Sequence, residues 1–121
     1  MDSHRLGQFA EEAAYQFLRS KGLQLIEKNY RCFDGEIDLI MQERSDIVFI
    51  EVRQRSSQDY GNALESITKV KMKKLIKTAT HFLQKKRWLY TINSRFDIIT
   101  IQTTQGKTDI NWIKNAFWVD A

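Results

Sequence analysis

Proline is absent from all 121 residues, glycine occurs five times and cysteine once. With no Pro- or Gly-rich tract, nothing in the chain reads as a linker, an internal repeat or a low-complexity segment. Its length suits one domain, residues 1–121, with a core of its own. Cys32 stands alone, which rules out an internal disulfide and suits a reducing compartment. Two distant histidines and one cysteine give no zinc-ligand spacing. No apolar run is long enough to cross a bilayer, and the first residues lack a signal-peptide h-region. The expectation is a cytoplasmic protein with no membrane partner.

With 42% hydrophobic and 28% charged residues, the composition is that of a soluble globular chain. The net charge is +4 and the pI about 9.3. Such mild basicity permits nucleic-acid binding without establishing it. The basic residues gather in "KVKMKK" (69–74) and "KKR" (85–87), where a solvated helix face is the plainer alternative.

Periodicity predicts a helix over residues 3–20. At ~100° per residue Leu6, Ala10, Ala13 and Phe17 share a face, with Phe9, Ala14 and Leu18 on its borders. Ser3 is placed to cap its start, and Gly22 lies just past its end. "LQLIEKNYR" (23–31) reads as a strand, followed by a hairpin and a loop containing Gly61. A longer amphipathic helix is expected from Ala63 to Lys86 and a strand at "RFDIITIQT" (95–103), with a short strand before it at "WLYTI". The aromatic tail "INWIKNAFW" is expected to pack back on the body. The order α-β-β-β-α-β implies an α/β or α+β class with a mixed sheet.

The hairpin "GEIDLIMQERSDIVFIEVRQR" (35–55) carries the unusual chemistry. A turn at Arg44–Ser45 sets Asp38 opposite Glu51, Ile37 opposite Val52 and Glu36 opposite Arg53. Alternation then puts Ile37, Leu39, Met41, Val48, Ile50 and Val52 on one face. The other face bears Glu36, Asp38, Glu51 and Arg53 at one end, and Ile40, Ile47 and Phe49 toward the turn. Opposed like charges disfavour pairing, so Asp38 against Glu51 calls for a cation between them. A hard divalent ion, Mg²⁺ or Mn²⁺, suits carboxylate oxygens, polarises a phosphodiester and acidifies its bound water. The bland alternative is an exposed edge whose carboxylates pair with Arg53 and Arg55 in water. Glu11, at the edge of the first helix's apolar stripe, is placed to point toward the sheet, whereas Glu12 points to solvent. Lys71 falls in the middle of the stripe formed by Leu64, Ile67, Leu75 and Phe82, while Lys69, Lys73 and Lys77 fall outside it. It either snorkels over apolar surface or faces the carboxylate pair.

Together with "AEEAAYQFL" (10–18), "NYR" (29–31), "ITKVKMKKL" (67–75) and "RFDII" (95–99), the elements "GEIDLI…VFIEVRQR" resemble the UPF0102 (YraN-like) family. That family is regarded as distantly related to Holliday-junction resolvases within the PD-(D/E)XK nuclease superfamily. The resemblance implies a restriction-endonuclease-like core, a mixed β-sheet flanked by helices. It further implies a metal-dependent nuclease acting on DNA, branched or structured DNA included, with Asp38 and Glu51 as metal ligands and the Val52 carbonyl and Glu11 as further ones. Lys71 sits where the family carries a basic residue on the helix after the core strands. Lys69, Lys73, Lys74 and Arg55 become the candidate DNA-binding residues, and a homodimer is the assembly that the analogy with resolvases suggests.

One position departs from the family motif, E-V-K: this chain has Arg53. Arginine stays protonated at physiological pH and cannot serve as a base, although it holds phosphate bidentately. Three consequences stay open. Arg53 performs only the electrostatic part, Lys71 supplies an amine from across the pocket, or the chain binds nucleic acid with weakened or no turnover. A non-catalytic interaction protein, using Trp112, Phe117 and Trp118 as its contact surface, is the remaining alternative.

Overall fold

A computed structural model describes residues 3–55 and 67–117, without the side chains of residues 3 and 4. The elements are α1 (Ser3–Ser20), β1 (Gln24–Cys32), β2 (Gly35–Glu43), β3 (Asp46–Arg55), α2 (Lys69–Lys86), β4 (Ser94–Thr104) and β5 (Lys107–Phe117). They form an α/β fold: a five-stranded mixed sheet in the order β1-β2-β3-β4-β5, flanked by helices. Among the described strands only β3 and β4 run parallel, joined by the crossover that contains α2. Among the described residues no helix is long and apolar enough to cross a membrane.

Each face of the sheet is covered by one helix, which is why the inner strands are apolar on both sides. Ala10, Ala14 and Leu18 of α1 pack on Leu39, Met41, Val48, Ile50, Ile99 and Ile101. Leu75, Ala79, Phe82 and Leu83 of α2 pack on Tyr30, Ile37, Ile40, Ile47, Phe49 and Phe96. The buried face of α1 is shifted from the expected one: Ala10 is buried as expected and the border residues Ala14 and Leu18 join it, while Leu6 of the expected face and Phe9 of its border stay 42% and 52% exposed. Methyl-sized side chains let the helix axis lie close to the sheet.

The β2–β3 turn falls at Arg44–Ser45 as expected, with Glu43 opposite Asp46 and Leu39 opposite Ile50. Ile37 alone leaves its expected face and joins Tyr30 and Leu75 on the α2 side. Across from it, β1 passes through Asn29 in the left-handed region (φ 53°), and this turns the strand pair there.

Three expectations change. The helix α2 begins at Lys69 instead of Ala63; residues 56–66, including Gly61 and Leu64, lie outside the described residues, as does the side chain of Ser3. The Thr68 hydroxyl accepts from the Lys71 amide (3.1 Å), and Ile67 packs with Met72, a cap and staple that set the helix start. "WLYTI" forms no strand. Arg87 and Tyr90 take left-handed φ values of 62° and 68°, and the Trp88 amide returns to the Leu83 carbonyl (2.8 Å), so the segment caps α2 while Trp88, Leu89 and Ile92 anchor it to the core. Lastly, much of the tail is a strand. Gln105 (φ 51°) and Gly106 (φ 79°) make a type I′ turn into β5; Trp118 lies outside the described residues.

Asp97 fastens that strand. Buried within β4, its carboxylate accepts from Arg95 Nε (3.1 and 3.2 Å), Trp112 Nε1 (2.9 Å) and the Asn115 amide (3.0 Å), where the β4–β5 register shifts. Arg95 in turn donates to Glu43 (2.8 Å). Asp97→Ala leaves Arg95 with Glu43 alone and unpairs Trp112 Nε1 and the Asn115 amide, a loss expected to cost about 3 kcal/mol, read as a lower urea midpoint at unchanged slope.

Candidate functional site

The ladder between β2 and β3 ends at Leu39–Ile50, one residue before the two carboxylates would pair. Beyond that point β2 continues beside β1 and β3 beside β4, so a cleft opens within the sheet. Asp38 and Glu51 stand at its apex. Asp38 Oδ2 accepts the Val52 amide at 2.8 Å, a side chain taking the place of the next ladder bond. Glu51 is 8% exposed and Asp38 is half-buried on an inner strand, so the pair is not a solvated sheet edge.

The helices complete the site. From α2, Lys71 Nζ lies 3.1 Å from Glu51 Oε1, the second of the two placements considered for it. Asp38, Glu51 and Lys71 border two adjoining recesses. One, of about 410 Å³, is walled by Gly35, Glu36 and Lys74. The other is walled by Gly7, Ala10, Glu11, Val52 and Arg53. Glu11 therefore does reach the site from α1, while its neighbour Glu12 is exposed and pairs with Lys28 (3.0 Å). Lys69 and Lys73 are exposed on α2, and Arg55 ends β3 beyond the recess-lining residues.

Two residues escaped the sequence reading as site members. Asn29 sits across β1–β2 from Asp38, and with its side-chain amide oriented to satisfy hydrogen bonding its nitrogen donates to Glu11 Oε2 (3.2 Å) and Glu36 Oε1 (3.0 Å), bridging helix and sheet. Glu36 also pairs with Arg31 (3.4 Å). The one local signal was an asparagine inside a strand pattern, the residue type after glycine best suited to positive φ.

Burial is the main force on the acidic pair. It pushes the Asp38 carboxyl up from 3.8 to about 8, helped by the neighbouring Glu51 charge and opposed by the Val52 amide. Burial also raises Glu51, against the pull of Lys71 and Arg53. Carboxylates held in this way gain from a cation between them. Among the described residues no three His, Cys, Asp or Glu side chains converge to cage an ion. The pair instead fits an ion of the Mg²⁺ type, which takes one or two carboxylates and leaves its other positions to water and phosphate.

The family model described as "Uncharacterised protein family UPF0102" matches residues 10–101, which span every element that builds the site. The chain belongs to the UPF0102 family. UPF0102 proteins of Nitrosococcus oceani and Legionella pneumophila are 42% and 48% identical to it, over 95% and 92% of this chain and 93% and 92% of theirs. One from Coxiella burnetii is 45% identical over 98% of this chain and 96% of its own. Among solved structures, that of Pyrococcus furiosus SfsA in complex with Ca²⁺ aligns with a TM-score of 0.43 and 13% identity, covering 93% of this chain and 64% of that one.

The raised Asp38 in this UPF0102 protein has a consequence for stability. The unfolded chain loses that proton near 3.8, whereas the folded chain keeps it to about 8. Between those values the folded state binds more protons, so stability falls as pH rises and the penalty is complete above about 8. In EDTA, Asp38→Asn is expected to flatten that slope and to stabilise the protein at pH 8.5 by about 1–3 kcal/mol, measured by urea melts from pH 4 to 9.

Proposed function

We propose that the protein is a divalent-metal-dependent nuclease that hydrolyses phosphodiester bonds of DNA, branched or otherwise structured DNA being the favoured substrate. One observation carries the reading: two carboxylates on the inner strands, Glu51 buried and Asp38 half-buried, stand together at the mouth of an open recess, at a cost to stability, with a lysine drawn in from α2. Asp38 and Glu51 would hold Mg²⁺ or Mn²⁺, with the Val52 carbonyl as a further ligand; Glu11, which lines the recess but does not converge with the pair, would act on the ion through a bound water. When bound, such an ion supplies a Lewis acid for the phosphate and an acidified water.

The remaining chemistry belongs to the chain. Lys71, held by Glu51, sets a positive charge where the scissile phosphate gains negative charge. Arg53, which lines the second recess, adds a second cation with a bidentate fork. Lys69, Lys73, Lys74 and Arg55 would hold flanking phosphates, giving an affinity that falls with salt. A second reading, a nucleic-acid-binding protein with weak or no turnover, is favoured by Arg53 itself, since the recess then lacks the lysine of the family motif.

Cleavage of end-labelled duplex, single-stranded and four-way-junction DNA with Mg²⁺ and with Mn²⁺ separates the two. The expected result is cutting that requires the ion and drops about 100-fold or more in Asp38→Asn, with loss of Mn²⁺ binding by calorimetry and an intact fold. Undiminished Mn²⁺ affinity in that variant would sink the site as drawn. Folded wild-type protein that shifts DNA but never cuts it establishes the second reading. Arg53→Lys is expected to raise the cleavage rate by up to about 100-fold, the scale of a restored general base; a fall in rate means that arginine is the adapted residue.

A further inference from the structure

We propose that Phe33 is a stacking platform for an unpaired base of a DNA strand lying across the recess, and that it makes the protein prefer single-stranded segments over closed duplex. This rests on the nuclease reading above. Phe33 and Asp34 form the two-residue turn between Cys32 and Gly35, which pair directly. The Phe33 ring is fully outside the protein, at 104% relative exposure, so it gives up the roughly 1.5–3 kcal/mol that burying such a side chain contributes.

The turn is held in one place. Gly35 has φ 155°, and a Cβ there would stand 3.2 Å from Thr78 Oγ1 and 3.8 Å from Lys74 Cβ. The root of the hairpin is thus seated on α2, a contact that only glycine allows. Thr78 is itself buried and donates to the Lys74 carbonyl (2.8 Å). The next residues, Gly35 and Glu36, wall the recess with Asp38, Glu51, Lys71 and Lys74. Phe33 therefore lies two residues before the wall of that recess, at the tip of a hairpin seated on α2.

The chemistry around it discriminates between contacts. Lys74, which walls the recess, and Arg31, whose side chain is 76% exposed while it pairs with Glu36 (3.4 Å), attract a polyanion. Asp34, inside the turn, repels phosphate, so the turn itself is suited to an uncharged face. A base offers such a face, and stacking on an aromatic ring is worth about 1–3 kcal/mol whatever the sequence. Within a duplex both faces of a base are already covered by its neighbours, so the contact is available only at unpaired positions, ends and branch points.

The test uses the full chain in EDTA, where metal-dependent cutting does not intrude. A single strand carrying 2-aminopurine and a blunt duplex of the same sequence are titrated against wild type, Phe33→Ala and Phe33→Tyr. The expected result is quenching of the 2-aminopurine by wild type and Phe33→Tyr. Phe33→Ala is expected to lose the quenching and to bind the single strand roughly 5- to 100-fold more weakly, with duplex affinity unchanged. If Phe33→Ala matches wild type on both DNAs, the stacking role is wrong and the nuclease reading still stands on its Asp38-dependent cleavage. If wild type binds neither DNA, the stacking proposal falls, and the nuclease reading is judged by Asp38-dependent cleavage with Mg²⁺ or Mn²⁺.

Discussion

A single break in a ladder organises this protein. Where β2 and β3 stop pairing after Leu39–Ile50, a side chain takes over the next bond, and Asp38 accepts the Val52 amide (2.8 Å). That substitution holds two acidic residues at the apex of a cleft inside the sheet, where neither water nor an opposite strand satisfies them fully. The pairs toward the turn, Leu39–Ile50, Ile40–Phe49 and Met41–Val48, are buried on both faces and hold the two strands in register against the repulsion. The core thus keeps together what charge alone would separate.

The helices set what surrounds the apex. Thr68 caps α2 and the Ile67–Met72 contact fixes its entry, so Lys71 arrives in its first turn facing Glu51. Gly35 lets the β1–β2 turn sit directly on α2, and this closes one wall of the recess. On the other side the alanines of α1 bring Glu11 near enough for Asn29 to link it to Glu36. The buried Arg95–Asp97 pair serves a separate purpose. It fastens β5 through Trp112 and Asn115, and neither residue lines the recess.

Much of this was legible because local rules and the tertiary structure agree. The Arg44–Ser45 turn and the register of β2 on β3 follow from period-2 alternation, which a buried face enforces. The inward position of Lys71 follows from the 3.6-residue period of α2. Legibility failed where a backbone conformation or a distant partner decides the outcome. Asn29 and Tyr90 adopt positive φ, Arg87 ends a helix in that region, and Gln105–Gly106 turns the chain back into β5. None of these changes the hydropathy pattern enough to be read from it. The shifted face of α1 has the same origin, since Leu6, Ala10, Ala13 and Phe17 form a stripe in sequence, yet close approach favours Ala10 and Ala14.

The sequence by itself determined the class, the paired strands and the identity of the acidic pair, because periodicity, turn chemistry and like-charge placement are local properties. Only the tertiary structure decided that the β2–β3 ladder ends just before that pair, that a backbone amide caps one carboxylate, and that Asn29 and Glu36 share the site. Those outcomes depend on which strands lie on either side of β2 and β3 and on how closely two helices approach the sheet. Both are set by packing between residues far apart in the chain, and no window of sequence contains them.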